Sequence, residues 1–159
     1  MTTRLTLLLA LLTALCANAA EPAAPAGLLP LDGRPAPALQ LADMDGHATD
    51  LEQLRGGWVL VHFWATWCGP CKKEMPTLQR MSALVPATDL RVLLVNTAET
   101  DDEVFAFLPS VAPDMDTLMD RDGKATERWQ PRGLPSTFLV DPQGRLRYPV
   151  IAVNDAQTK

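Results

Sequence analysis

This 159-residue chain is poor in cysteine, in histidine and in net positive charge, and each shortage closes off a class of function. Three cysteines (Cys16, Cys68 and Cys71) cannot staple a small scaffold, and without a second Cys pair no zinc ribbon can be assembled. Lys and Arg number 14 against 19 Asp and Glu, a formal net charge of −5, which argues against nucleic-acid binding. Two histidines, with no further His or Cys set, leave little with which to hold copper. No segment repeats, and the leucine-rich stretch Leu5 to Leu15 is too short for a comfortable membrane span.

What is present begins with an export pattern. Arg4 precedes the leucine-rich stretch, and Ala17-Asn18-Ala19 offers a small-residue cleavage site, so residues 1–19 read as a secretory signal peptide. Cleavage there leaves about 140 residues with a formal charge of about −6 and removes Cys16. The mature protein then holds only the close pair, with no isolated cysteine for peroxide chemistry. The n-region carries one basic side chain, so residues 5–19 retained as a membrane tether is the other reading. Residues 20–36, rich in Ala, Pro and Gly, read as a flexible linker. Residues 37–159 form one domain.

Along that domain, 39–41 and 47–49 suggest a short hairpin around Asp43 to Gly46, followed by a helical turn over 50–54. Trp58 to Phe63 is a near-continuous apolar run, as in a strand buried on both faces. An amphipathic helix is expected from about Lys72, carrying Met75, Leu78 and Met81, with Pro76 kinking it. A second buried strand is expected over 90–96 and a helix over 101–110, capped by Thr100 or Asp101. A short strand over 117–119, a helix over 123–129 and a hairpin of 136–140 with 145–150 complete an α/β sandwich with a mixed sheet.

The chemistry concentrates in Trp67-Cys68-Gly69-Pro70-Cys71, at the junction of the first long strand and the helix after it. Two sulfurs three positions apart in a first helical turn can close a small ring and reopen it. The unpaired N–H groups and positive dipole end of the helix favour thiolate over thiol. So short a loop gains little by cross-linking, which makes structural reinforcement a poor explanation. Cys68, at or just before the helix start and expected to be exposed, is the candidate attacking sulfur. Cys71, one turn in, is the candidate resolving sulfur.

The segment from Phe63 to Pro76, FWATWCGPCKKEMP, resembles the active site of the thioredoxin superfamily, and most of all its TlpA/ResA/DsbE-like branch. Gly133-Leu134-Pro135-Ser136-Thr137-Phe138-Leu139-Val140-Asp141 is similar to that family's cis-proline loop and the strand after it, and Pro37 to Leu41 with Asp45-Gly46 to its N-terminal hairpin. The resemblance implies a thioredoxin-like three-layer sandwich and a thiol–disulfide oxidoreductase whose redox-active disulfide is Cys68–Cys71. It implies a cis Pro135, with the Leu134 backbone, Trp67, Gly69 and Pro70 meeting the substrate chain. It also implies Glu74 as the acid–base residue, for which a surface glutamate favoured by the helix dipole is the alternative. Gly69-Pro70 is similar to the pair of reducing thioredoxins, so reduction is the expected direction. His62 stands where thioredoxins hold a buried aspartate, and is either a proton relay beneath Cys71 or a satisfied core histidine. Trp64 and Trp67 either shape the surface around Cys68 or pack as core, and Lys72 and Lys73 read as solvated charges.

Relatives carry a helix after the last hairpin; here residues 154–159 are too short and polar for it, so the C-terminal helix is expected to be lacking. No cofactor and no metal are called for. The partners implied are a disulfide-containing protein, such as apocytochrome c or an oxidase subunit with a copper-site cysteine pair, and a membrane thiol donor. The chain is expected to act as a monomer in the periplasm, or anchored to its membrane. A copper-handling protein, or a disulfide oxidase or isomerase, remain the competing functions.

Overall fold

A computed structural model describes residues 33–150, the side chains of 148–150 excepted. The signal peptide, the tether over 5–19, most of the linker and the C-terminal segment 151–159, where the helix is expected to be lacking, lie outside the described residues. Of the linker, residues 33–36 are described. Pro35 bridges Arg145, and the Ala36 amide donates to the Gly144 carbonyl at 2.9 Å.

The central strand β3 (Trp58–Trp64) is buried from Val59 onward. It can be apolar on both faces because both are covered. It runs parallel to β4 (Leu90–Thr97) and antiparallel to β6 (Ser136–Val140), with Val61 opposite Leu93 on one side and Phe138 on the other. β5 (Thr117–Asp120) extends the sheet parallel to β4, and β7 (Leu146–Val150) closes it antiparallel to β6, giving the order β5-β4-β3-β6-β7. A separate two-stranded hairpin, β1 (Gln40–Ala42) with β2 (Ala48–Asp50), precedes it. Its turn is organised by Asp43, whose Oδ1 accepts from the Asp45 and His47 amides at 2.9 and 2.8 Å.

Strand alternation divides the core in two. Val59, Val61 and Phe63 face Leu39, Leu51 and the short helix α3 (Lys124–Trp129), where Phe63, Trp129 and Phe138 pack with ring centroids 5.2–5.9 Å apart. Such edge-on aromatic contacts add to the burial of large side chains. Leu60 and Trp64 face the other way, against Cys68, Cys71, Met75 and Leu78 of the long helix α1 (Gly69–Leu84) and its entry, and Val104 of α2 (Asp101–Phe107). The result is the expected thioredoxin-like three-layer fold with a mixed sheet and an N-terminal hairpin.

Several bounds differ from the pattern-based expectation for local reasons. α1 begins at Gly69 rather than near Lys72, because Cys68 serves as its N-cap and Pro70 sits in the first turn, where its missing N–H costs nothing. α1 runs on through Pro76 as one helix to Leu84. α2 stops at Phe107 and passes into a 3-10 turn over Leu108–Ser110, since Pro109 cannot donate to the carbonyl four residues back. Its N-cap is Thr100, in a reciprocal capping box with Glu103. The β6–β7 turn is held by Asp141, whose Oδ1 accepts from the Gln143 and Arg145 amides at 2.9 and 2.8 Å. Gly144 in that turn has φ +77°, and a Cβ there would also sit 3.0 Å from the Arg55 guanidinium.

Candidate redox site

Cys68 and Cys71 are joined in a disulfide, S–S 2.01 Å with Cα atoms 5.3 Å apart. The turn that leads from β3 into α1 places them: the Cys68 amide donates to the Ala65 carbonyl at 3.1 Å, and the Lys72 amide to the Cys68 carbonyl at 3.3 Å. Cys68 caps α1 in the way a serine would. Its Sγ accepts from the Cys71 amide at 3.2 Å, so one of the helix's orphan N–H groups points at this sulfur. A thiolate at the same position would gain that donor and the dipole end together.

The expectation of an exposed Cys68 needs correcting. With the disulfide closed, Cys68 is 4% exposed and Cys71 fully buried. The rim around the pair is open. Trp67 is 70% exposed, Gly69 and Pro70 are exposed, and a Cβ built on Gly69 would meet nothing within 4 Å. The two tryptophans therefore part ways. Trp67 lies at the surface beside Cys68, whereas Trp64 is core, donating from Nε1 to Thr117 Oγ1 at 3.0 Å and packing on Phe107. Lys72 lies 4.8 Å above the Phe107 ring, a cation–π contact rather than a purely solvated charge, and Lys73 is exposed.

The Leu134–Pro135 bond is cis, and Leu134 packs against the same side-chain cluster that holds Cys68 and Cys71. The loop closes with the Ser136 hydroxyl donating to the Gly133 carbonyl at 2.7 Å. Pro135 itself is half-buried, and a Cβ on Gly133 would again meet open space. Glu74 lies on α1 one residue before Met75 and is 8% exposed, so it belongs to the interior and not to a solvated face.

His62 is fully buried on the α1 side of β3, between Leu60 and Trp64 in sequence and opposite Thr137 in register. Its Nδ1 lies 2.8 Å from Thr137 Oγ1, and Nε2 has no hydrogen-bond partner among the described residues. Burial pushes its pKa down to about 4, so the ring is neutral near pH 7.

One group at this site is absent from the sequence-based reading. Glu99, 9% exposed in the loop after β4, accepts from the Thr66 amide at 2.8 Å and the Thr66 hydroxyl at 2.5 Å. It also accepts from the Asn96 amide group at 2.7 Å. Thirty-three positions separate Glu99 from Thr66, and no spacing rule links them. The one available signal is an acidic side chain just before a Thr cap, at the C-terminal end of a parallel strand. Two surface hollows, of about 320 and 440 Å³, line neither cysteine. Among the described residues no three His, Cys, Asp or Glu side chains cluster as a metal site, and no helix is long and apolar enough to cross a membrane.

Known proteins resemble this chain in sequence and fold. The thiol–disulfide oxidoreductase ResA of Bacillus subtilis is 31% identical over 115 residues, covering 72% of this chain and 64% of ResA, so the chain spans somewhat under two thirds of that relative. A DsbE-type thiol:disulfide interchange protein of Chlorobium tepidum superposes with a TM-score of 0.71 at 28% identity, over 78% of this chain and 87% of that one. A Bacteroides thetaiotaomicron protein named as a disulfide isomerase gives 0.68 at 25% identity, over 77% and 80%. The AhpC/TSA family profile matches residues 33–149, from the first described residue through both halves of the redox site, and the chain belongs to that family.

Proposed function

We propose that this protein is an exported thiol–disulfide oxidoreductase that reduces protein disulfides. The observation that carries the reading is the Cys68–Cys71 disulfide at the mouth of α1, with Cys68 as the N-cap that accepts the Cys71 amide. In the reduced protein, the Cys68 thiolate attacks one sulfur of a substrate disulfide. A mixed disulfide forms, and the other substrate sulfur leaves as a thiolate that takes up a proton. Cys71 then gives its proton to Glu74 and attacks Cys68 Sγ. The Cys68–Cys71 bond closes, the second substrate thiolate leaves, and two electrons have passed to the substrate. A membrane thiol donor reverses these steps to recharge the pair. The Leu134 backbone and the open rim over Gly69, between Trp67 and Pro70, receive the extended substrate chain beside Pro135.

The resemblance to the TlpA/ResA/DsbE-like branch supports action outside the cytoplasm, after export directed by residues 1–19. It also supports apocytochrome c or an oxidase copper-site cysteine pair as substrate. Equilibration of the protein with dithiol buffers tests the direction. The expected potential lies nearer thioredoxin's, about −270 mV, than DsbA's, about −120 mV. A value near the latter reverses the assignment to disulfide oxidation.

The role of Glu74 is separately testable. In a Glu74→Gln protein, attack of Cys68 on an oxidised peptide keeps its rate, while release of the mixed disulfide slows by about 10²-fold, the usual share of a positioned proton acceptor. Stopped-flow measurement of the two phases decides it. Slowing of both phases alike would mean that the buried carboxylate supports the fold of the site rather than the proton transfer.

A further inference from the structure

The geometry points to Glu99 as a positioning residue: its carboxylate clamps the turn at Thr66 so that the sulfur of Cys68 is held against the N-terminal N–H groups of α1. This rests on the redox function proposed above and adds to it the group that sets the reactivity of Cys68.

Three donors converge on one buried side chain, and both carboxylate oxygens are used. Oε2 accepts the Thr66 amide at 2.8 Å and the Asn96 side-chain amide at 2.7 Å, while Oε1 accepts the Thr66 hydroxyl at 2.5 Å. Only four residues, 65–68, join β3 to α1, and Thr66 is the second of them. Fixing both its backbone and its side chain leaves that turn little freedom, and Cys68 follows two residues later. Asn96 is fully buried and belongs to β4, so the clamp ties the reactive turn to the neighbouring central strand rather than to a loop.

The backbone around Glu99 is shaped for this contact. Ala98 takes φ +56°, a left-handed conformation that a residue with a Cβ adopts at a cost, and its amide is anchored to the Asp120 carbonyl at 3.0 Å. Immediately after Glu99, Thr100 caps α2. Glu99 is thus held between a strained residue and a helix cap. A carboxylate fixed on both sides is suited to position a turn, because little of its own freedom remains to be lost on making the bonds.

The consequence is chemical. A Cys68 thiolate is stabilised where its sulfur stays near the Cys71 amide and the dipole end of α1, both short-range effects. Releasing the turn lets the sulfur drift from them, and the thiol then ionises at higher pH. Glutamine can keep the clamp without the charge. Its oxygen in the Oε2 position accepts from Thr66 N and Asn96, and its NH₂ in the Oε1 position donates to the Thr66 hydroxyl.

The test is alkylation of Cys68 by iodoacetamide across pH, in full-length protein carrying Cys71→Ser so that one thiol in the folded domain reports. Adding Glu99→Ala is expected to raise the alkylation midpoint by about one pH unit and slow the reaction at pH 7 about tenfold, while Glu99→Gln stays within about twofold of the parent. Should Glu99→Ala fail to fold, Thr66→Ala, which deletes only the Oε1 bond, is expected to move the midpoint in the same direction by less. An unmoved midpoint in whichever of these two variants is folded overturns the clamp and leaves Glu99 a stabilising residue only. A downward shift in Glu99→Gln also overturns it, since the charge and not the geometry would then be acting on Cys68. A parent whose Cys68 reacts no faster than a free model thiol sinks the redox function itself, a separate result from a reactive parent matched by its Ala variant.

Discussion

A Cys71→Ser protein is expected to accumulate as a covalent adduct with its substrates, and a Cys68→Ser protein to form none and to reduce disulfides no faster than solvent thiols. The asymmetry follows from position. Cys68 is the N-cap residue with open rim on both sides, whereas Cys71 is fully buried within the first turn of α1. An incoming disulfide can meet Cys68 once the internal bond is reduced, but has no route to Cys71 without unwinding the helix. Serine at 68 cannot substitute, because its hydroxyl stays protonated at neutral pH and makes no stable bond to sulfur. Serine at 71 leaves the attacking sulfur intact and removes only the group that releases the client. Denaturing, non-reducing gels of extracts from cells expressing each variant, followed by peptide identification, read the outcome. Adducts on Cys71 in the Cys68→Ser protein would exchange the two roles, and no adduct on either would leave the pair without a catalytic part. Identification of the trapped proteins also separates apocytochrome c from an oxidase subunit.

How much of this was legible in the sequence depends on the range over which each signal acts. The strand before Cys68, the cap at Thr100 and the turn held by Asp141 are local patterns, and the structure has them within a residue or two of their expected places. Residues whose role depends on which face of β3 they occupy were harder. Because β3 is apolar from Val59 to Trp64 on both sides, the sequence carries no polar alternation to say that His62 and Trp64 point toward α1. Trp64 and Trp67 look alike as letters, yet one ends a buried strand and the other begins an exposed turn. The burial of Cys68 is set by what packs around it across the fold, which no local propensity encodes. Glu99 leaves only the weak signal of an acidic side chain before a Thr cap, because its partner Thr66 lies 33 positions away on another strand's exit. The early start of α1 and the early end of α2 were legible in principle through Pro70 and Pro109, both of which act on their nearest neighbours.

Acid is expected to destabilise this protein earlier than its carboxylates alone would allow, and His62 is the reason. Burial lowers its pKa from 6.5 to about 4, so below pH 6.5 the unfolded chain takes a proton that the folded chain refuses. Stability from this group is complete above pH 6.5 and falls as pH drops toward 4, by roughly 3 kcal/mol in all at 1.36 kcal/mol per unit. The carboxylates act in a lower window. Asp101, held down by its hydrogen bond to Arg121, and Glu103, held down by the Thr100 amide, contribute above their unfolded values and lose that only as pH falls below about 4. Urea unfolding of the oxidised protein between pH 4.5 and 7.5 therefore isolates the histidine. A His62→Asn protein should be less stable at pH 7.5, having lost ring volume and the Thr137 contact, but its stability should vary little across that range. Parallel curves for the two proteins would mean that His62 titrates normally and that the cavity around it admits water. The same variant separates the two readings of the ring. A neutral imidazole that merely fills the core leaves the pH dependence of mixed-disulfide release unchanged in His62→Asn, whereas a relay through its unpartnered Nε2 shifts it.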